Sequence, residues 1–208
     1  MSCCASACRE KKTVSASERN EEARQDWRSR AETIPARRLV VVDESSTHLG
    51  MTSAYARAPR GERAYAQQQR NYGQNMTLLA GLRLEGMSAP MLIEGAVNTA
   101  VFETFVEQVL LPTLQEGDIV VLDNLSAHKS KRVESMLTRK RCRLLFLPAY
   151  SPDFSPIENA FAKIKQCLRV AQAQTVDTLI EALDQALATI SPYDAIGFFT
   201  NAGFLNLD

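Results

Sequence analysis

Three carboxylates in this 208-residue chain stand where their side chains could converge on one site. Two apolar runs, 39–42 and 119–122, each lead directly into an acid, Asp43 and Asp123, and 34 residues separate Asp123 from Glu158. Mg²⁺ prefers oxygen ligands. Two such ions about 4 Å apart can activate a nucleophilic oxygen, stabilise a leaving oxygen and neutralise phosphate charge. The three acids therefore predict cleavage of phosphodiester bonds, and DNA-strand chemistry above all.

Each acid also has a simpler interpretation. An Asp that ends an apolar strand often only starts a turn. Ser155-Pro156-Ile157-Glu158 matches a capping box, in which Glu158 would bond back to the backbone of Ser155. On a helix, however, Glu158 would share one face with Lys165 and Arg169. That face would place an acid that binds metal beside two cations that bind phosphate, and spacing alone leaves both interpretations open.

Other polar residues near the three acids are interpreted from their positions. Glu44 follows Asp43, so its side chain should point to the opposite strand face, and we do not count it as a ligand. His128 comes five residues after Asp123 and could orient a phosphate or a water, although a lone His is more often structural. Asp153 lies in a Pro-rich connector and is expected to form a turn.

The charge distribution says more than the formal net charge, which is zero. Residues 171–208 contain five acids and no Lys or Arg, whereas residues 129–143 contain seven basic side chains and one acid. A solvated helix face would explain this basic stretch, and phosphate contact is the functional alternative. The candidate DNA contacts are Arg57, Arg60, His128, Lys129, Lys165 and Arg169.

The bulk composition limits the class of protein. A content of 45% hydrophobic and 23% charged residues is ordinary for one globular domain. No run approaches the ~18 apolar residues of a membrane span, and the N-terminus does not resemble a secretory signal. The five cysteines do not form a metal pattern, so we expect reduced thiols in a cytoplasmic protein without membrane contact.

The hydrophobic pattern predicts the elements that would position the acids. Strands are expected at 38–43, 51–58, 76–84, 119–123 and 142–147, and helices at about 102–110 (capped by Asn98 or Thr99), 126–140, 156–170 and 176–190. The order β-β-β-α-β-α-β-α, plus a terminal helix, matches an α/β ribonuclease-H-like fold, a mixed sheet with helices packed on it. Its first and fourth strands are neighbours. Asp43 and Asp123, each expected at the C-terminal end of its strand, would therefore meet.

Several sequence strings resemble the DDE transposases (DDE superfamily endonucleases), and more narrowly the bacterial insertion-sequence branch of the mariner superfamily. The spacing of 34 residues is usual in that branch, and the similarity covers about 37–206. The strings that carry it are Val-Val-Asp-Glu at 41–44, Asp-Ile-Val-Val-Leu-Asp-Asn at 118–124 with His128, Tyr-Ser-Pro-Asp-Phe-Ser-Pro-Ile-Glu-Asn at 150–159, Arg-Ala-Pro-Arg-Gly at 57–61 and Asn-Ala-Gly-Phe at 201–204.

The resemblance implies a ribonuclease-H-like catalytic domain at 37–208. Two Mg²⁺ or Mn²⁺ ions would be held by Asp43, Asp123 and Glu158, with Asn124 and Asn159 in support. The implied reaction is nicking of DNA at transposon ends, followed by strand transfer from the freed 3′-hydroxyl into TA-containing target DNA. The implied partners are DNA and either a second copy, in a homodimer, or a chain that carries a helix-turn-helix domain.

The N-terminal segment departs from the family pattern. Members carry N-terminal helix-turn-helix domains, but only residues 1–36 precede the first strand here, with Trp27 as their one large anchor. We expect a loose or helical lead-in, or the remnant of a DNA-binding region. Two alternatives to a working transposase follow. One is a catalytically incomplete remnant that binds or dimerises with a full transposase, and the other is a ribonuclease-H-like nuclease with another substrate.

Overall fold

The computed structural model describes residues 19–53, 57–65, 73, 75–125 and 128–207. Short 3₁₀ turns at Ala36–Arg38 and Pro152–Phe154 accompany the main helices and strands. The main elements, in chain order, are α1 (Glu21–Ala31), β1 (Leu39–Thr47), β2 (Met76–Arg83), β3 (Gly86–Glu94), α2 (Thr99–Phe105), a π-helical segment (Val106–Leu110), α3 (Leu111–Thr113), β4 (Ile119–Leu122), α4 (Lys131–Arg139), β5 (Arg143–Phe146), α5 (Pro156–Ala171), α6 (Val176–Ala188) and α7 (Pro192–Asn201).

The five strands form one mixed sheet in the order β3-β2-β1-β4-β5. β1, β2 and β3 pair antiparallel, whereas β4 pairs parallel with both β1 and β5. Parallel neighbours need a crossover connection, and α4 supplies it between β4 and β5, while the helical segment from α2 to α3 carries the chain from the edge strand β3 back to β4. The predicted α/β fold class is confirmed, and so is the adjacency of the first and fourth strands.

One predicted strand is wrong and another strand was missed. The described residues of 51–58, which are 51–53 and 57–58, form no strand, and 54–56 lie outside the described residues. The third strand is β3 instead, which follows β2 through a two-residue turn. Pro90 lies within this strand. A proline argues against a strand in the sequence, because it cannot donate a hydrogen bond to a neighbouring strand and is confined to sheet edges. β3 is such an edge.

The four predicted helices are present, one of them begins later than expected, and one further helix after them was missed. Asn98 caps α2 by accepting from the Val101 amide. α4 begins at Lys131, capped by Ser130, rather than at 126, a residue outside the described part of the chain. α7 was missed although its signal was present, because Ser191 and Asp194 form a capping box around Pro192. No helix in the described ranges is long and apolar enough to cross a membrane.

Two hydrophobic clusters pack against the two faces of the sheet. Leu39 and Val41 belong to the cluster that includes residues of α1, α5, α6 and α7. Val40 and Val42 belong to the cluster with residues of α2, the π-helical segment and α4. Because side chains alternate along a strand, Asp43 is directed to the α5 side and Glu44 to the α2 side.

The lead-in contains a helix that is part of the same packing. Trp27 of α1 is buried and meets Phe204 edge to face, with ring centroids 6.4 Å apart. The Ala36 amide donates to the Asn206 carbonyl oxygen over 2.7 Å. The helical alternative for the lead-in is therefore confirmed over Glu21–Ala31.

Candidate active site

Asp43 and Asp123 come together through the register of two parallel strands. β1 and β4 pair Leu39 with Ile119 and Val41 with Val121, so the same register continued by two residues brings Asp43 opposite Asp123. Asp123 directly follows β4, as predicted. The prediction that Asp43 ends its strand is wrong, because β1 continues to Thr47 through its pairing with β2.

Glu158 reaches the same place from α5. A cavity of about 360 Å³ is lined by Asp43, Asp123 and Glu158, by Asn124 and by residues of the connector between Leu147 and Ser155. The three acids predicted from the sequence therefore share one cavity, which we call the acidic pocket. As they stand, no three His, Cys, Asp or Glu side chains among the described residues converge closely enough to hold a metal ion.

The capping-box interpretation of Glu158 is wrong. Ser155 is the N-cap residue of α5, but its side chain makes no capping hydrogen bond, and its amide donates to the Pro152 carbonyl oxygen instead. Pro156 at the first helical position needs no partner for an amide hydrogen, which reduces the need for a side-chain cap. The exposed carboxylate of Glu158 therefore remains available to the acidic pocket.

Asp123 both forms a local turn and lines the acidic pocket, so its two interpretations are compatible. Its Oδ1 accepts from the Leu125 amide over 3.1 Å, which is a local turn contact. The same oxygen contacts Nδ1 of His128 at 2.5 Å. Because these contacts use one oxygen, Oδ2 is left without a hydrogen bond to the residues that the structure describes.

His128 connects two acids from neighbouring strands, Asp123 at the end of β4 and Glu44 within β1. Its ring is fully buried and lies against Phe102, with centroids 4.3 Å apart. Nδ1 contacts Asp123, and Nε2 lies 3.1 Å from Oε2 of Glu44. Burial alone lowers the pKa of His128, but the bond to Asp123 and the contact with Glu44 outweigh it and raise the pKa to about 9. Both ring nitrogens therefore carry hydrogen at neutral pH.

These contacts change the roles expected for His128 and Glu44. His128 was a candidate DNA contact, but its buried ring offers DNA no surface in this structure. Glu44 is absent from the lining of the acidic pocket, in keeping with the opposite strand face. Its contact with His128 was missed, and no local signal could have revealed it. The contact depends on β1 and β4 being neighbours.

Burial, and after it the charge of neighbouring carboxylates, determines the electrostatics at Asp43 in the acidic pocket. Burial raises the pKa of Asp43, a hydrogen bond from the Glu44 amide opposes this, and the charges of Glu44, Asp123 and Glu158 raise it further. The result is a pKa of about 7, far above the ordinary value of an Asp. A cation in the pocket would relieve this repulsion.

The predicted DNA contacts and Asn159 do not line the acidic pocket. Arg57, Arg60, Lys129 and Asn159 are exposed, and Lys165 and Arg169 on α5 are half-buried. Arg60 stands in a turn that the Glu62 amide closes by donating to the Pro59 carbonyl oxygen. Of the two predicted supporting residues, Asn124 lines the acidic pocket and Asn159 does not.

Ion pairs explain part of the basic stretch at 129–143. Arg132 contacts Glu107 at 2.7 Å and Glu103 at 3.4 Å, which ties α4 to the helix before β4. Arg141 contacts Glu116 at 2.8 Å. The structural interpretation therefore applies to these two arginines, while Lys129 makes no ion pair within the described ranges.

Comparisons with known proteins agree on one class. The model of the family described as DDE superfamily endonuclease matches residues 38–180. Among curated proteins, the transposable element Tcb2 transposase of Caenorhabditis briggsae is 27% identical over 178 residues, or 80% of this chain and 62% of that protein. The Tc1 transposase of Caenorhabditis elegans is 30% identical over 90 residues, or 43% of this chain and 33% of that protein.

Solved structures show the same fold at low identity. The chain matches a pre-cleavage Mos1 transpososome with a TM-score of 0.73 and 17% identity, over 96% of this chain and 64% of that one. It matches the catalytic domain of Mos1 mariner transposase with a TM-score of 0.64 and 18% identity, over 89% and 86%. The chain spans between a third and about three fifths of the curated relatives it matches. Those relatives are nematode proteins, so the narrower resemblance to the bacterial branch stays a prediction.

Proposed function

The chain belongs to the DDE superfamily endonucleases, and from this membership we propose that it cleaves DNA strands and transfers them as the catalytic domain of a Tc1/mariner-type transposase. The observation that carries the proposal is the meeting of Asp43, Asp123 and Glu158 in one pocket. Two neighbouring strands and a helix supply these acids, although their positions in the sequence are far apart. We propose these three as the catalytic residues.

The acidic pocket has the chemistry of a divalent metal site. Its donors are carboxylate oxygens, which suit hard cations such as Mg²⁺ and Mn²⁺. Burial and, to a smaller extent, neighbouring carboxylates raise the pKa of Asp43, and a cation in the pocket would oppose both by favouring the charged carboxylate. The three carboxylates as they stand do not form a group that could hold an ion, so binding would require their side chains to rearrange. Similar Mos1 paired end complexes were solved with Mn and with Mg.

We propose that two ions bind, with Asp43 and Asp123 at a shared position and Glu158 completing the second. When bound, they would supply charge neutralisation at the phosphate and activation of the attacking oxygen. In the first reaction, a water oxygen forms a bond to phosphorus and the bond to the 3′ oxygen breaks, which leaves a 3′-hydroxyl. In the second, the oxygen of that hydroxyl forms a bond to a phosphorus of the target DNA, the bond from this phosphorus to the target's 3′ oxygen breaks, and the released 3′ oxygen takes up the proton.

The chain's own residues would hold this arrangement in place. His128 donates to Oδ1 of Asp123 and so fixes the carboxylate, which leaves Oδ2 free for the pocket. Glu44 holds the other side of the imidazole. Asn124, directly after Asp123, offers the pocket an amide. Residues that orient metal ligands in this way are commonly as important as the ligands.

The finer assignments remain proposals that rest on the resemblance. We propose that this chain belongs to the bacterial insertion-sequence branch of the mariner superfamily, on the basis of the 34-residue spacing and the string at 150–159. We propose TA-containing targets, and ends read by a helix-turn-helix region that adjoins residues 1–36 or belongs to a partner chain. A homodimer would bring two ends together. Exposed or half-buried cations suited to phosphate contact are Arg57, Arg60, Lys129, Lys165 and Arg169.

The proposal can be tested with the purified chain and matched substrates. We expect nicking of duplex DNA that carries the element's inverted repeats, dependent on Mg²⁺ or Mn²⁺ and abolished by a chelator. An RNA–DNA hybrid of the same sequence should be cut far less. Preferential cutting of the hybrid would indicate a ribonuclease-H-like nuclease instead. Binding without cleavage, even with a helix-turn-helix region supplied, would indicate a catalytically incomplete remnant.

His128→Gln is expected to weaken both cleavage and metal affinity by about 10- to 100-fold, as is usual when a residue that orients a ligand is lost. The Gln amide can reach one acid but cannot bridge Asp123 and Glu44 as the imidazole does. Single-turnover cleavage at several Mn²⁺ concentrations measures both effects. His48→Gln is the matched control, and equal losses in the two variants would contradict the positioning role.

A further inference from the structure

We propose that Arg24 is a positioning residue that holds one wall of the acidic pocket in place. This inference rests on the proposed function, because the wall matters only if the pocket does chemistry. Arg24 lies on α1, before the matched family region begins, and its side chain is fully buried. No sequence motif drew attention to it.

The contacts of Arg24 are specific. Nη1 donates to Oδ1 of Asp153 over 3.0 Å, and Nη2 donates to Oδ2 over 2.6 Å. The guanidinium also stands over the ring of Phe154, 4.2 Å from its centroid. A buried guanidinium is costly unless it is paired, and the two-point bond with the cation–π contact supplies that pairing. The same bond lowers the pKa of Asp153.

Asp153 and Phe154 belong to the connector that forms the pocket wall. Their neighbours Ser151, Pro152 and Ser155 line the acidic pocket, and α5 begins at the next residue. Asp153 was expected only to form a turn. It does stand in the 3₁₀ turn Pro152–Phe154, but its carboxylate also pairs with Arg24 of α1 and so ties the connector to that helix. A change at Arg24 therefore acts on the wall through Asp153 and Phe154.

The connector has little other support from regular structure. Tyr150 adopts a φ of 55°, a left-handed conformation that is uncommon for a residue with a side chain. The backbone bonds of the turn are local, from Phe154 to Ser151 and from Ser155 to Pro152. Side-chain contacts must therefore fix this segment, and Arg24 provides two of them together with its stacking on Phe154.

Arg24 also compensates for the missing cap of α5. Ser155 makes no capping bond, and Glu158 does not bond back to it. A helix end without such bonds can fray. The Arg24–Asp153 pair lies two residues before the N-cap and fixes the chain as it enters the helix. Glu158 can thus stay free for the pocket while α5 keeps a defined start.

The experiment compares Arg24→Met and Arg24→Lys with a matched control on α5, the helix that follows the connector. Lys163 on α5 pairs with Asp194 at 2.9 Å, and it lines no part of the acidic pocket. Lys163→Met therefore removes one cation and one ion pair of α5 away from the site. The first readout is single-turnover cleavage, measured well below the melting temperature of each variant. The second is the rise in melting temperature that Mn²⁺ causes, measured relative to the same variant without Mn²⁺, since an ion that binds only the folded chain stabilises it.

We expect Arg24→Met to cleave about 10-fold more slowly or worse, with a higher Mn²⁺ requirement and a smaller Mn²⁺-induced rise. Arg24→Lys should recover part of each, because Lys keeps the charge but lacks the planar fork. Lys163→Met should lower the melting temperature without changing either readout. The inference is overturned if Arg24→Met matches the wild type in both readouts, or if the two Met variants lose them equally. A wild-type chain that neither cleaves nor responds to Mn²⁺ would instead refute the proposed function.

Discussion

Glu158→Gln is expected to reduce DNA cleavage by at least about 10³-fold, on the order of 4 kcal/mol in the barrier, while the free energy of unfolding stays nearly unchanged. The carboxylate is exposed and makes no capping bond, so the fold does not depend on it. The pocket does depend on it, because a neutral amide is a poor ligand for Mg²⁺. Single-turnover cleavage and thermal unfolding of the same preparation measure the two effects.

A matched control separates the pocket from the helix. Glu134 also lies in the first turn of a helix, is exposed and stands outside the acidic pocket. Glu134→Gln removes the same charge and should lose the same small interaction with the helix dipole, a few tenths of a kcal/mol. Its cleavage rate should stay within about threefold of the wild type, well inside one kcal/mol. Undiminished cleavage by Glu158→Gln would remove Glu158 from the site.

The parts of the site that could be predicted are those with a local signal. Asp123 follows a short apolar run directly, so the end of β4 was visible in the sequence. Asp43 was found for a partly wrong reason, because β1 continues to Thr47 through its pairing with β2. What brings Asp43 to the pocket is the register with β4, not the end of a strand. The residue was predicted because an acid after valines is conspicuous.

The parts that were missed depend on contacts between distant segments. Glu44 reaches His128 only because β1 and β4 are neighbours, and Arg24 reaches Asp153 across 129 residues of chain. Neither pair has a spacing rule of the kind that helices provide. β3 was hidden for another reason, since Pro90 is tolerated only because the strand is an edge. Local patterns thus predicted the acids but not what holds them.

Asp43→Asn is expected to stabilise the metal-free protein while it abolishes cleavage. The pKa of Asp43 is about 7 in the folded state, chiefly because burial and then neighbouring carboxylates disfavour its charge. An acid whose pKa is raised by folding binds its proton more tightly in the folded state. Stability is therefore lost as pH rises from the unfolded value of about 4 through 7, by no more than roughly 4 kcal/mol. Asn carries no charge and escapes this loss.

The window from pH 4 to 6 isolates Asp43 from His128. The pKa of His128 is about 9 in the folded state, above the ordinary value of 6.5. Below pH 6.5 the imidazole is therefore charged in the folded and the unfolded protein alike, and it does not make stability depend on pH there. The lowered pKa values of Asp153 and Asp194 contribute the same pH dependence of stability to the wild type and to Asp43→Asn, so they cancel in the comparison. Denaturant unfolding of wild type and variant should thus diverge steadily between pH 4 and 6, by up to roughly 3 kcal/mol. Mn²⁺ should stabilise only the wild type. Parallel curves would show that folding does not raise the pKa of Asp43, and neither burial nor crowded charge would then favour a cation in the pocket.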